Sequence, residues 1–306
     1  MVARQAHNLK VLGSNPSPAP NSTTLSRIYR RYIVRVLILK LVLGDKLCSN
    51  VTTAMKNNLD AITRFCDDRV KWCEIPDFPG SENGLQVTND GQVTKIGAAV
   101  DAGLEPFCKA IAAEIDFLIV HHGLYWNPPI PLVGSAYEKV KVLLDNNVAL
   151  YGSHLPLDRH PEIGNNAILG RKLALRPVCT FLPYEGIDVG LLAEGADSRQ
   201  CLRLKLESLF PAGIEAMEFG SEHPEKIAIL TGSGQGAVDK ILEVGADTLV
   251  TGELRQHHFN MAQEQKLNLY ACGHYATETF GVDALGREVA KTFDLPYQFI
   301  DTECPL

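Results

Sequence analysis

The sequence predicts an α/β protein of two similar lobes with mixed sheets and a metal site in the cleft between them. Three observations lead there. Short β-branched apolar runs alternate with helical patterns, and this alternation occurs twice, with a less regular stretch around residues 185–220 as the boundary. Three strand ends share one grammar: an apolar run, a small residue, then side chains able to bind metal. In open α/β sheets, ligands sit beyond the carboxyl ends of the strands.

Residues 1–54 read differently from the rest. Ser14 to Ser26 is rich in Ser, Pro and Asn, and the apolar run Ile33 to Leu43 is broken by Arg35 and Lys40. It falls short of the roughly 20 residues that span a bilayer, so no membrane partner is expected. The first 44 residues hold seven Lys/Arg and no Asp or Glu. An organellar transit sequence, a secretory-type signal and a start codon assigned too early would each account for such a leader. We favour the last, with residues 1–54 unstructured or spurious and residues 55–306 forming the metal-binding domain.

From Met55 to about Trp72 the pattern is helical, and Pro76 to Asn83 is a loop rich in breakers. Strand Lys95 to Val100, a helix through Ala113, strand Asp116 to Gly123, helix Ser135 to Asp145 and strand Val148 to Gly152 complete the first alternation. A short helix follows Asn166 to Leu173, and another lies near Ser198 to Leu209. The closing third reads as strand Lys226 to Leu230, helix Ala237 to Gly245, strand Thr248 to Thr251, a helix to Glu264, a strand at Leu267, a helix to Phe293 and strand Tyr297 to Asp301.

The chain carries a formal charge of −7, and its basic leader leaves the body more acidic than that total. An acidic body argues against general nucleic-acid binding but not against a nucleotide substrate. Eight cysteines without a Cys-x-x-Cys pair suit reduced thiols in a cytosol-like compartment. Cys272 reads as a small buried residue rather than a ligand.

The donors lie at the strand ends. Asp116 to Gly123 delivers His121 and His122; Val148 to Gly152 leads into Ser153, His154 and Asp158; Leu267 to Ala271 leads into His274 and Glu278. The last two are four residues apart, on one face of a helix that begins near His274. A lone histidine beside a strand is more often structural, and repetition at three strand ends is what favours metal. Successive strand residues point to opposite sides, so His121 and His122 are expected to serve separate ions. Imidazoles with carboxylates suit zinc, iron, manganese or nickel, and the lack of thiolate spacing argues against a structural zinc knot.

Three further motifs have less specific readings. Thr231 to Gly236 (Thr-Gly-Ser-Gly-Gln-Gly) lies between a strand and an expected helix, so it is either a tight turn or a loop whose N–H groups face a substrate phosphate. His257 and His258 fall in a helix, where at most one faces the cleft. Asn165 and Asn166 either cap a helix or orient a ligand.

At these residues the chain resembles the GTP cyclohydrolase I type 2 homologue family, the Nif-three-like proteins. The matching motifs are Asn83-Gly-Leu-Gln-Val87, Val120-His-His-Gly-Leu-Tyr-Trp126, Ser153-His-Leu-Pro-Leu-Asp158, His160-Pro-Glu-Ile-Gly-Asn-Asn166, Thr231-Gly-Ser-Gly-Gln235, Thr251-Gly-Glu253 and Gly273-His-Tyr-Ala-Thr-Glu-Thr279. They occur in the family's order and cover the chain from Met55. The resemblance implies a dinuclear site with two divalent ions per subunit. His121 and His274 would bind one ion, His122 and Asp158 the other, and Glu278 would bridge. His154 would be a proton shuttle or a neighbour that orients a ligand. It also implies a metal-dependent hydrolase of a nucleotide or cyclic C–N substrate and a ring-shaped homo-oligomer such as a hexamer; the cysteine pattern gives the expected location as cytoplasmic, or organellar if the leader is a transit sequence. The alternative is a non-enzymatic metal-binding, storage or regulatory protein.

Overall fold

The structure is a computed structural model that describes residues 58–125 and 130–306. The expectations for residues 1–54 and for Trp126 lie outside the described residues. Among those described, no helix is long and apolar enough to cross a membrane.

The first sheet has the order β1-β4-β3-β2-β11, with β1 Gly84–Val87, β2 Ile96–Asp101, β3 Phe117–His122, β4 Ala149–Gly152 and β11 Tyr297–Phe299. β11, β2, β3 and β4 run parallel, and β1 closes the edge antiparallel to β4. Side chains of β3 alternate between two cores. Phe117 and Ile119 pack with helix α1 (Leu59–Val70) and helix α8 (His274–Phe293), whereas Leu118 and Val120 pack with α2 (Leu104–Ala112) and α3 (Ser135–Asp145). Continued to the strand end, this period of two assigns His121 to the α1/α8 side and His122 to the other. Asn58 caps α1, its side chain accepting from Ala61 N at 2.8 Å.

The second sheet has the order β5-β6-β8-β9-β10-β7, with β5 Arg176–Tyr184, β6 Ile187–Glu194, β7 Glu215–Glu218, β8 Lys226–Ser233, β9 Thr248–Glu253 and β10 Asn268–Ala271. Its centre, β8 to β10, is parallel, and the flanking strands are antiparallel, so both sheets are mixed. Helices α4 (Leu155–Asp158), α5 (Asn165–Lys172), α6 (Arg199–Leu209) and α7 (His258–Gln265) complete the fold. Helix α8 joins the halves. Val282, Leu285, Val289 and Phe293 enter the first sheet's core, while Ala276 and Phe280 pack on the second's. Each such large apolar side chain contributes about 1.5–3 kcal/mol when fully buried.

Two regions differ from the sequence reading. The helix expected over Ala237 to Gly245 is a series of turns with a 3-10 segment at Leu242–Val244. Ala237, Val238 and Ile241 are buried at helical spacing, but three-residue hydrogen bonds such as Lys240 N to Ala237 O (2.8 Å) and Glu243 N to Lys240 O (3.1 Å) tighten the chain before Gly245. The irregular stretch after Leu173 contains the β5–β6 hairpin. Its first strand carries Pro177 and Pro183 and is largely exposed at a sheet edge, where period-two burial is absent and proline is tolerated.

Candidate metal centre

Strand ends from both sheets meet at one place. From the first come His121 and His122 at the end of β3, then Ser153, His154 and Asp158 after β4; from the second, β10 leads through Gly273 into His274 and Glu278 at the start of α8. His121 Nε2 lies 3.3 Å from Asp158 Oδ2 and 3.5 Å from Glu278 Oε1. His122 Nε2 lies 3.3 Å from Glu278 Oε2, and His274 Nε2 lies 3.2 Å from Glu278 Oε1. Three donor groups result, each with its atoms within 4.8 Å of one another: His121/Asp158/Glu278, His122/His274/Glu278 and His121/His122/His154.

The structure therefore brings together all five donors expected from sequence, and it revises their grouping. Asp158 falls with His121 and His274 with His122, the reverse of the expected pairing. The reason is the layer each occupies: Leu157 packs in the α1/α8 core with Phe117 and Ile119, which puts Asp158 on the His121 side of the sheet. Alternation along β3 also separates the two imidazoles less than expected. The strand ends there, and the ring centroids of His121 and His122 are only 4.8 Å apart.

The outer nitrogens explain why the inner ones converge. His121 Nδ1 donates to Ser153 O at 2.9 Å, His122 Nδ1 to Asp101 Oδ1 at 2.8 Å and His154 Nδ1 to Asp77 Oδ1 at 2.7 Å; His274 Nδ1 lies 3.5 Å from Glu253 Oε1. A carbonyl only accepts, so His121 carries its proton on Nδ1 and, as a neutral ring, turns a lone pair on Nε2 towards two carboxylates. Among the described residues, His121 Nε2 and Glu278 Oε2 are buried without a hydrogen-bond partner. Buried lone pairs facing each other need a cation between them. Gly232 leaves room for one: at φ +66°, a Cβ there would overlap Glu278 Oε1 and come within 3.1 Å of His274 Nε2. The residues thus fit a metal site.

Without an ion, the clustered carboxylates and imidazoles shift one another's pKa. Burial alone lowers the pKa of His121, but Asp158 and Glu278 outweigh it and raise the group well above its ordinary value. The hydrogen bond to Glu278 pushes His274 up to about 9 against its partial burial. Burial would raise Glu278, and the surrounding histidines, His121 foremost, overcome that and hold it well below the usual carboxylate range.

Asp77 escaped the sequence reading as a positioning residue, whereas Asn165 and Asn166 take the ligand-orienting place it left open. Asp77 accepts from His154 Nδ1, from Leu155 N at 3.0 Å and from Asn83 Nδ2 at 2.9 Å, while Asn83 Oδ1 accepts from His154 N at 2.8 Å. Gln86 takes Leu124 N at 2.7 Å and fixes the chain just beyond His122. Asn165 donates to Asp158 Oδ1 at 2.7 Å and accepts from Gly281 N at 2.6 Å, tying α5 to α8 through the ligand. Asn166 accepts from Thr231 N at 2.9 Å and donates to Val189 O at 2.9 Å. His258 is buried with its Nδ1 accepting from Arg255 N at 2.9 Å, a local role. Cys272 is buried, and desolvation lifts its thiol to about 12. The described cysteines are free.

Two mixed sheets with imidazole and carboxylate donors at their facing strand ends define an α/β protein with candidate metal-binding clusters. The chain belongs to the Duf34/NIF3 (NGG1p interacting factor 3) family, whose pattern matches residues 58–305. It is 35% identical over 244 residues to the "GTP cyclohydrolase 1 type 2 homolog" of Archaeoglobus fulgidus, covering 80% of this chain and 98% of that protein. Among solved structures it resembles a Thermus thermophilus protein at 37% identity and a TM-score of 0.71, covering 81% of this chain and all (100%) of that one. It also resembles reduced HcgD from Methanocaldococcus jannaschii at 26% identity and a TM-score of 0.70, covering 80% and 98%.

Proposed function

We propose that the chain is a hydrolase that works with two divalent ions per subunit, acting on a nucleotide or a cyclic C–N compound. The observation that carries this reading is the set of imidazoles whose Nδ1 atoms face a carbonyl or carboxylate while their Nε2 atoms surround the buried Glu278. Outer partners of this kind fix the tautomer and raise the basicity of metal-binding histidines. His121 and Asp158 would hold one ion, His122 and His274 the other, and Glu278 both; the donor set suits iron, zinc, manganese or nickel.

Bound ions would supply Lewis acidity and bring the pKa of water towards neutral. The chain supplies the rest. Glu278 spans the centre, and Asn165 and Thr231 hold Asp158 in orientation, Thr231 Oγ1 lying 3.3 Å from Asp158 Oδ1. His154, backed by Asp77, is placed to take a proton at Nε2 and pass it on. The name of the A. fulgidus relative favours C–N bond hydrolysis. Exposed Ile130, Leu132, Val133 and Tyr137 favour self-association into a homo-oligomer.

Elemental analysis of the purified full chain tests the metal reading, with two ions per chain expected. Turnover of a nucleotide and cyclic-amide panel, abolished by Glu278→Gln, tests the enzyme reading. Metal-replete protein that turns over none of the panel would favour the storage or regulatory alternative.

A further inference from the structure

We infer that the substrate presents to this centre a planar or apolar body without a polyphosphate chain, an inference that rests on the metal reading above. A cavity of about 580 Å³ opens beside the donors, a size suited to a small organic ligand. Phe78, Leu182, Tyr184, Val189 and Leu230 form its apolar part, and His122, His154, Asp158, His274 and Glu278 line it as well. No lysine or arginine is among its described lining residues. Two neighbouring arginines, which are not among those lining residues, each spend their Nε on a protein acceptor: Arg159 on Asp188 O at 3.3 Å, and Arg255 on Gln235 Oε1.

Beyond what metal ions bind, recognition of a triphosphate draws on forked guanidinium groups, lysines or free N–H groups at a helix start. The glycine-rich turn offers little of the last. Its N–H groups at Thr231, Gly232 and Gly234 are spent on Asn166 Oδ1 (2.9 Å), Thr277 Oγ1 (3.0 Å) and Glu253 O (3.2 Å). The chain beyond it forms turns rather than an α-helix. Phosphates reaching past the ions would meet apolar side chains and the carboxylates of Asp158 and Glu278.

The apolar wall is also built to keep its shape. Phe78 meets Tyr184 edge-on with centroids 4.9 Å apart and leans on His154 at 5.6 Å. The β5–β6 hairpin closes through Glu185 and Gly186 at φ 47° and 86°, the left-handed geometry of a tight two-residue turn. Leu182 is held at φ 66° although it is neither glycine nor asparagine and precedes a proline, which favours extended backbone. Strain of this kind, about 1–3 kcal/mol, clusters at ligand clamps. A flat ring packed against Phe78, Leu182, Tyr184 and Leu230, with its polar edge towards the histidines, satisfies each of these surfaces.

The full chain loaded with cobalt provides the test, read from the visible absorption of the ion on titration with acetohydroxamate, benzohydroxamate, orthophosphate and tripolyphosphate. Benzohydroxamate should bind at least about tenfold more tightly than acetohydroxamate, and tripolyphosphate within about threefold of orthophosphate. Tyr184→Ala should shrink the aromatic gain. Leu182→Gly should do the same, and it accepts the positive φ without strain, so it keeps the fold. Equal binding of the two hydroxamates, or tenfold tighter binding of tripolyphosphate than orthophosphate, overturns the inference while leaving the metal reading in place. Failure to obtain any cobalt band overturns the metal reading and this inference with it.

Discussion

Side-chain exposure is 0% at His121 and 9% at Asp158, against 20% at His122 and 29% at His274, so the two halves of the centre differ in their access to water. The inner half is locked from behind. His121 is held by a backbone carbonyl and Asp158 by Asn165, both themselves buried. The outer half borders the cavity, and its backing carboxylates are exposed, Asp101 at 46% and Glu253 at 45%. Burial strengthens electrostatic attraction and bars water from competing, so, on the proposed two-ion reading, the inner half should retain its ion and the outer half should exchange.

The most severe test of this contrast is Glu278→Gln. The carboxylate touches both halves, and the amide keeps its shape but gives up the charge that would hold two cations together. Metal content should fall from two ions per chain to less than one, whereas Asp158→Asn should leave the outer ion bound. Elemental analysis of both variants decides the matter, and a Glu278→Gln protein that keeps two ions breaks the bridge assignment. Next comes Gly232→Ala. A methyl group there overlaps Glu278 Oε1, so metal content should drop while circular dichroism stays native. Unchanged metal content would show that the carboxylate has another seat.

Asp101→Asn should act on the outer half alone. Loss of a carboxylate behind a metal-binding histidine lowers affinity by roughly 10–100-fold. Competition with a coloured chelator should show one weakened ion and one unchanged; two weakened ions would mean that the halves are not separable. The smallest effect concerns the metal-free protein. His274 is raised to about 9 in the folded state from an unfolded value near 6.5, with Glu278 the main cause. Its stabilising contribution is therefore complete below about pH 6.5 and lost as the pH rises through about 9. Chelator-treated protein should lose a few degrees of melting temperature across that window, and metal-loaded protein should not. Equal losses in the two forms would contradict coordination by His274.

The histidines were legible because they stand at or just after the ends of apolar strands, where an α/β sheet displays chemistry, while Asp158 and Glu278 lie a few residues further on, in the helices that follow. Asp101 obeys the same grammar at the end of β2, but a single carboxylate there also reads as an ordinary turn. Asp77 gave no signal of its own: it lies in a loop of breakers, and the histidine it orients is 77 residues away. The pairing of donors was hidden too, since it depends on which core layer Leu157 enters and not on spacing along the chain. The β5–β6 hairpin escaped because an exposed edge strand interrupted by prolines has no burial rhythm to betray it.

Helix α8 is rooted in both cores and carries His274 and Glu278 at its first turns. A nascent chain synthesised only as far as Cys272 holds His121, His122, His154 and Asp158 but lacks the residue that spans them. On the proposed two-ion reading, ion capture by both halves would wait until this late segment has packed against the two sheets. The centre would thereby act as a maturation checkpoint, in which metal retention certifies that both halves of the protein are assembled.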